Sequence, residues 1–285
     1  MLDPTDLTIS DSLNSGGSFS DGVWVYNSTP AADTATVNIA ALITALTSGS
    51  VTISTSSTGG SQGDITVSGA IDSLSGNSLT LIADNSITIS NPIDLGGGLT
   101  LRADGTIDIF ADITTASGLR ITSGGSTTIA STVRNTNGVG NISIVSDGSI
   151  VINGILSTIG TTGSGGNIFL DADGGDITGV GAIVLENPAN ATGSSLGMQA
   201  TGDIGVNVSM PLVGSLDPAS AIWTPQLAGP PVAADAGGIL FIRNLEISTF
   251  PNNGITGSAV VAGAANGLGG FRSGGAMTIS GGTIS

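Results

Sequence analysis

Apolar and polar residues alternate in a pattern that recurs through the middle of the chain. Four clear copies are LTLIADNSITI from Leu79, LTLRADGTIDI from Leu99, LRITSGGSTTI from Leu119 and ISIVSDGSIVI from Ile142. Two weaker copies follow, IFLDADGGDIT from Ile168 and LGMQATGDIGV from Leu196. The separation between copies grows from 20 to 28 residues, while the motif itself keeps its internal spacing. A motif of constant spacing and variable separation is typical of a stacked solenoid.

The first five residues of each copy alternate with period two, which predicts a strand with one buried face. The positions expected to point inward are Leu79, Leu81, Ala83, Leu99, Leu101, Ala103, Leu119, Ile121, Ser123, Ile142, Ile144 and Ser146. The positions expected to point outward include Thr80, Ile82, Thr100, Arg102, Arg120 and Thr122. The inward set is nearly constant and the outward set varies, so we expect a narrow aliphatic core.

A residue that tolerates positive φ follows each first strand, which predicts a tight corner there. These corner residues are Asn85, Gly105, Gly125, Gly148, Gly174 and Gly202. A second short strand then places Ile87 and Ile89, Ile107 and Ile109, Ile150 and Ile152, or Ile204 and Val206 inward. A weaker third apolar step follows at Ile93 and Leu95, Ile113, Val133 and Ile155. The growth in separation is expected to fall in the loops after this third strand.

Three short strands and their corners in about twenty residues form one coil of a parallel β-helix, whose equivalent strands stack about 4.8 Å apart. An antiparallel sandwich or barrel also gives short, regularly spaced strands. It does not predict the same corner residue at the same offset in six copies. The predicted fold is therefore all-β, a parallel β-helix, with a short helix near its amino-terminal end.

The remaining chain is less regular. Residues 1–50 form a lead-in in which Ile39, Leu42, Ile43 and Leu46 have helical spacing, with Gly49 as the stop, and the helix is expected to pack on the side or end of the stack. Regular coils are expected over 51–210. A segment rich in proline and alanine, 211–238, is predicted to leave the helix as an excursion loop. Further coils occupy 239–285 and stop within a repeat, so we expect a segment of a longer protein.

The composition excludes several classes of function. The chain has no lysine, histidine or cysteine, five Arg against 21 acidic residues, and a net charge of −16. Phosphate binding needs clustered cations, so we expect no nucleic-acid partner, and no apolar stretch is long enough to insert into a membrane. Without His, Cys or Lys, the usual catalytic triads, zinc sites and Schiff-base chemistry cannot form. We expect no catalytic, cofactor or metal residues, and no enzyme.

Carboxylates leave two alternatives open. Asp104, Asp108 and Asp112 lie in one predicted coil near Arg102, with Asp84 expected to stack over Asp104, and polysaccharide lyases and hydrolases on this scaffold would need either paired carboxylates or a calcium site with an Arg or Lys base. Asp171, Asp173 and Asp176 resemble the start of an oxygen-ligand calcium loop, although the downstream Glu of an EF-hand is missing. We favour ordinary turn and surface positions as the explanation of both groups. Whether the second group binds calcium is left open.

Two large amphipathic rings, Tyr26 and Trp223, lie on irregular segments. Such rings can stack on sugars or anchor a partner, and they can equally cover the end of a core.

The LDPTDLTIS opening, the ATVNIAALITALTSGSVTIST step and the LTLxADGxIxI coils resemble the repetitive β-helical exoproteins of the filamentous haemagglutinin class. These are large bacterial surface adhesins, many of them exported by two-partner secretion. The resemblance covers most of residues 1–210. It implies a right-handed parallel β-helix that serves as a rod. The family's amino-terminal secretion domain and its Asn-Pro-Asn motifs are missing, so this segment is expected to be shaft or passenger.

The expected function is that of a non-catalytic shaft that displays loops, in a secreted or cell-surface adhesin. Its partners would be a host or neighbouring-cell receptor, a surface glycan, or other copies of itself end to end. The alternatives are a self-assembling matrix filament, in which open coil ends pair between molecules, and a polysaccharide lyase or hydrolase.

Overall fold

A computed structural model describes residues 6–27, 34–55, 62–137, 140–159, 166–186, 196–212, 214–217, 222–225, 232–236, 240–249, 271–273 and 277–280. Within these ranges the chain forms 29 strands and one helix, and nearly all strand pairs are parallel. The fold is an all-β parallel β-helix with a short helix near the amino-terminal end, as the sequence predicts. The sense of its winding stays a prediction.

Equivalent strands of successive coils pair directly on the first face of the solenoid. Leu79, Leu99 and Leu119 lie in one file, and their neighbours Leu81, Leu101 and Ile121 lie in a second. The strands of this face are Val51–Ser54, Leu79–Ala83, Leu99–Ala103, Leu119–Ser123, Ile142–Ser146, Ile168–Ala172, Leu196–Ala200, Val232–Ala236 and Phe271–Ser273.

The second and third faces contain the two shorter strands of each coil. The second face consists of Thr34–Asn38, Asp6–Ser10, Ile65–Val67, Ile87–Ile89, Ile107–Ile109, Thr127–Ile129 and Ile150–Ile152. The third face consists of Ile71–Ser73, Ile93–Leu95, Ile113–Thr115, Thr132–Asn135 and Ile155–Ile159. Beyond these, the long strands Ile177–Glu186 and Ile204–Leu212 pair along both faces, and Leu240–Thr249 and Met277–Ser280 continue the sheet.

Loop length grows where the sequence predicts it, after the third strand. Three residues, 96–98, join Leu95 to the next first-face strand, whereas 160–167 join Ile159 to Ile168. The strands on either side of the longer connection still pair in register with the coil before them, so the added residues do not disturb the stack.

Every inward residue assigned from the alternation of the first strands is buried, and the outward residues are half-buried or exposed. The core is one continuous, almost wholly aliphatic cluster that extends from Leu7 to Val206 and includes Trp24. Each coil is too small to bury its apolar face alone, so stability depends on the stacking of neighbours.

The corner residues occur where expected, but the predicted reason for glycine is wrong. None of Gly105, Gly125, Gly148, Gly174 and Gly202 has a positive φ. The requirement is steric, because each corner lies on the backbone of the corner before it: Gly105 N–H donates to Asn85 O at 2.6 Å, and a Cβ on Gly105 would lie 2.8 Å from the same oxygen.

One inward position of the third face also differs from the prediction. In the coil that begins at Ile142, the register pairs Val133 with Leu156 and Thr132 with Ile155. Leu156 is therefore buried, and Ile155 is exposed. Because Ile155 and Leu156 are adjacent and both apolar, the alternation of the sequence could not show which of them points inward.

The predicted helix spans Ile39–Ser48 and buries Ile39, Leu42 and Leu46. Asn38 caps its first turn by accepting a hydrogen bond from Ala41 N–H, and Gly49 N–H donates to Ala45 O at its end. The helix packs against the third-face strand Ile71–Ser73, and Asn77 Nδ2 donates to Leu46 O at 2.7 Å. It therefore covers the amino-terminal end of the third face.

Residues 11–16 cover the amino-terminal edge of the second face. The edge strand is Thr34–Asn38, where Ser15 and Thr36 exchange both of their backbone hydrogen bonds, at 2.9 and 3.0 Å. Asn38 N–H donates to Asn14 Oδ1, and Asn38 Nδ2 donates to the carbonyls of Asp11 and Ser12. We call residues 11–16, the hairpin Gly17–Ser20 and Val23–Tyr26, and the helix together the amino-terminal cap.

The region assigned to the excursion loop contains three short strands. Gly214–Asp217 and Ile222–Pro225 form an antiparallel pair of their own. Val232–Ala236 pairs in register with Leu196–Ala200 and so lies in the first face of the stack. The segment boundaries themselves stay predictions.

Candidate functional site

The carboxylates that could support a polysaccharide-cleaving site lie at different places around their coil. Asp104 is exposed at the corner after the first strand, Asp108 points outward from the second strand, and Asp112 is exposed just before the third. Ala103 pairs with Ala83, and Asp104 N–H donates to Ala83 O. Asp104 and Asp84 therefore follow paired residues of adjacent coils, as expected if they stack. The structure therefore distributes the three carboxylates around the rod.

The contacts of these carboxylates are those of surface residues. Arg102 and Asp104 form an ion pair at 3.8 Å with both side chains more than half exposed, so solvent screens it strongly. Thr106 Oγ1 lies 3.4 Å from Asp108 Oδ2, at the limit of a hydrogen bond. Neither contact positions a carboxylate for proton transfer.

Asp112 joins its coil to the next. Its Oδ1 accepts hydrogen bonds from Ser131 Oγ and from Thr132 N–H, the latter at 2.9 Å. The hydrogen bond from the Ser131 hydroxyl is the largest cause, and that from the Thr132 amide the second, of a pKa of the Asp112 carboxyl below its usual value. Asp112 therefore stays ionised as a structural acceptor between coils.

The three residues of the candidate calcium loop have separate environments. Asp176 Oδ1 accepts the Asp203 N–H at 2.7 Å, and Asp176 N–H bonds to Ser149 Oγ. Asp171 Oδ1 is buried without a hydrogen-bond partner, and burial, with a smaller contribution from the charge of Asp173, raises the pKa of Asp171. Among the residues the structure describes, no three acidic side chains converge on a point where they could hold a metal ion.

Asp176 belongs to a ladder of polar side chains that sequence analysis did not identify. In six steps of the stack, the residue at the start of the second strand uses its side-chain oxygen to accept the backbone N–H of the same position one coil later. The donor and acceptor pairs are Asp64 and Asp6, Ser86 and Asp64, Thr106 and Ser86, Ser149 and Ser126, Asp176 and Ser149, and Asp203 and Asp176, at 2.7–3.3 Å. The recurring Ser, Thr or Asp at this offset was the available signal. Its spacing resembles that of ordinary turn residues.

The ring of Tyr26 covers the end of the core. Trp24 beside it is buried and makes edge contacts with Phe19 and Tyr26, at centroid distances of 5.1 and 6.4 Å. Tyr26 Oη donates to Ser54 O at 2.6 Å, which fixes the partly buried ring to the first regular coil. Trp223 lies in the strand Ile222–Pro225, and its side chain is outside the described part of the structure.

The outward surface of the coils therefore remains as the candidate functional surface. No helix in the described ranges combines the length and apolar character needed to span a bilayer. No family model matches the chain, and neither a curated protein nor a solved structure matches it significantly.

Proposed function

We propose that this chain is a rod-like structural segment of a secreted or cell-surface bacterial adhesin and has no catalytic role. The observation that carries the proposal is the in-register file of first-face strands from Val51–Ser54 to Phe271–Ser273. Its inward residues are nearly constant and its outward residues vary. A surface selected for display and a core selected for stacking would give this pattern.

The distribution of carboxylates supports a non-catalytic role. Glycoside hydrolysis typically uses two carboxyl groups on either side of one bond. Asp104, Asp108 and Asp112 lie instead at successive positions around the coil. Asp112 Oδ1 already accepts hydrogen bonds from Ser131 Oγ and Thr132 N–H.

The amino-terminal cap argues against the matrix filament as the main role. End-to-end growth requires strand edges that can pair with another molecule. At this end, the second-face edge is paired with residues 11–16 and the third face is covered by the helix. A partner chain would have to displace the cap before it could pair.

Deletion of one whole coil, residues 99–118, distinguishes the shaft from the enzyme. In the deletion variant Gly98 is joined to Leu119, so a glycine still precedes Leu119 as Gly118 does in the intact chain. The deletion removes Asp104, Asp108 and Asp112 together. A shaft should remain folded and become shorter by about 4.8 Å, the separation of neighbouring strands, which small-angle scattering can measure. Collapse of the fold after this deletion would contradict the modular shaft.

Adhesion is tested on the intact chain. Beads coated with the chain, and beads coated with the coil deletion, should both be retained on cultured cells or on an array of surface glycans more strongly than albumin-coated beads. Retention no better than albumin on every surface would contradict the adhesive role. Turnover of an acidic polysaccharide by the intact chain, lost in the deletion, would establish the enzyme instead.

A further inference from the structure

Three buried hydroxyl groups form a cluster inside the largely aliphatic core. Ser123 Oγ lies 2.9 Å from Thr127 Oγ1 and 2.9 Å from Ser146 Oγ, and Thr127 Oγ1 lies 2.7 Å from Ser146 Oγ. Ser123 Oγ is also 3.1 Å from the Gly125 carbonyl. All three side chains are at most 1% exposed. We call them the hydroxyl cluster.

Other coils have apolar residues at the same places. The file of Ser123 and Ser146 continues to Ala103 on one side and Ala172 on the other. The file of Thr127 continues to Ile107 and to Ile150. Among the residues whose side chains the structure describes, such a cluster occurs only at the step between the coil that begins at Leu119 and the coil that begins at Ile142.

Neighbouring coils are similar on their first two faces, which poses a problem during folding. The strands Leu119–Ser123 and Ile142–Ser146 present the same alternation of large, large and small inward residues. Either could dock on Leu99–Ala103 before the stack is complete. Docking of the later strand would leave a whole coil looped out.

The hydroxyls make the two choices unequal. Ser123 and Thr127 belong to one coil and hydrogen-bond each other, so that coil can dock on Ala103 and Ile107 without leaving a buried hydroxyl unpaired. Ser146 has its hydroxyl partners only in the preceding coil, on Ser123 and Thr127. Docked on Ala103 and Ile107, Ser146 would lose both of these hydroxyl partners, and lost hydrogen bonds of a buried polar group are costly.

We propose that the hydroxyl cluster fixes the order in which these coils stack, by penalising every arrangement in which Ile142–Ser146 docks on a coil other than the one that begins at Leu119. A buried polar contact of this kind acts as the single buried Asn does in coiled coils, where it selects a register. The cluster thus links the near-identity of the repeats to a unique fold.

Cysteine pairs can report the order because the chain has no cysteine of its own. Thr122 and Val145 are paired outward residues of adjacent strands, so Thr122→Cys with Val145→Cys should form a disulfide in the native order. Arg102 and Val145 are two coils apart, at about twice 4.8 Å. Arg102→Cys with Val145→Cys should therefore close only when the intervening coil is looped out.

The test is rapid refolding from denaturant followed by oxidation. Ser146→Ala removes the hydroxyl that opposes misdocking and leaves the Ser123–Thr127 pair intact, so the yield of the Arg102→Cys/Val145→Cys disulfide should rise several-fold. The control is Ser143→Ala, on the same strand but facing outward, which should leave the yield unchanged.

A second variant tests the same idea from the other side. Ala103→Ser places a hydroxyl where Ser146 would meet it after misdocking, and this should also raise the yield of the skipped disulfide. If neither Ser146→Ala nor Ala103→Ser raises that yield above the Ser143→Ala control, the proposal is overturned. A rise in both variants with no change in the control supports it.

Discussion

Leu101 and Thr100 are adjacent on one strand and face opposite sides of the wall of the solenoid. Leu101 is fully buried between Leu81 and Ile121, and Thr100 is half-buried and faces solvent between Thr80 and Arg120. A charge at the first position would enter the core of three coils at once.

Leu101→Asp should therefore destabilise the protein by at least about 4 kcal/mol, because it removes a buried Leu and leaves an unpaired carboxylate in its place. Thr100→Asp should change the free energy of unfolding by no more than about 0.5 kcal/mol, as is usual for outward positions. Denaturant unfolding followed by circular dichroism measures both. Equal effects would contradict the assignment of faces.

The corner at Gly105 tests the steric reason for glycine. A Cβ there would lie 2.8 Å from the Asn85 carbonyl oxygen, so Gly105→Ala should cost about 1–3 kcal/mol through local overpacking. The matched control is Gly76→Ala, since a Cβ on Gly76 would have no atom within 4 Å. That substitution should be neutral or slightly stabilising, and a comparable loss at Gly76 would show that steric crowding at the corner is not the cause.

The sequence predicted what depends on local periodicity. The first-strand faces follow from the alternation at Leu79, Leu81 and Ala83, and the helix follows from the spacing of Ile39, Leu42 and Leu46. The choice between Ile155 and Leu156 failed because two neighbouring apolar residues satisfy the same period.

Contacts between distant residues were beyond that reasoning. Ser123 and Ser146 occupy positions where alanine also fits, so the pattern marks them only as small. The pairing of Ser15 with Thr36 and the acceptance of the Asp203 amide by Asp176 join residues more than twenty positions apart. No local signal encodes such contacts, although the corner position of Asp104 and the outward position of Asp108 follow from the repeat itself.

Asp112 should make stability depend on pH with a definite sign. Its pKa is lowered in the folded state, so it stabilises the fold above the unfolded value of 3.8, and this stabilisation is lost as the pH falls through the folded pKa. Asp112→Ala should therefore be less stable than the original chain at pH 7, and the difference should shrink in acid.

Ser131→Ala provides the control, because the Ser131 hydroxyl is the largest cause of the lowered pKa. It should remove part of the same pH dependence, and the double variant should lose less than the sum of the two single losses. Additive losses would mean that the two residues act independently.

Asp171 should show the opposite dependence. Burial raises the pKa of Asp171 above 3.8 in the folded state, so its ionised form is disfavoured there. Asp171→Asn should increase stability at pH 7, and the gain should fade as the pH falls through the raised folded-state pKa and be absent below pH 3.8, where the carboxyl is protonated in both states. Thermal melts across this range measure the effect.

Asp173→Asn is the matched change, because the charge of Asp173 is the smaller cause of the raised pKa. It should give a smaller gain than Asp171→Asn at pH 7. If Asp171→Asn destabilises the protein at pH 7, the buried oxygen has a stabilising contact that outweighs its desolvation.

The amino-terminal cap should suppress assembly, and Asn38 is the residue on which this depends most. Asn38 caps the helix through Ala41 and bonds the carbonyls of Asp11 and Ser12. Asn38→Ala should cost about 0.5–2 kcal/mol, the usual effect of losing an N-cap, and should release residues 11–16 from the strand Thr34–Asn38. The backbone amide of Thr36, which donates to Ser15 O, should then exchange faster with solvent.

With that edge released, Asn38→Ala should form larger assemblies as its concentration rises, because an uncovered strand edge can pair with a second chain. Sedimentation velocity and electron microscopy measure the assemblies, and Asn91→Ala, at a corner outside the cap, is the matched control. The original chain should stay unassembled under the same conditions. If Asn38→Ala exposes Thr36 to exchange and still remains as unassembled as the control, the covered edge is not what keeps the molecules apart.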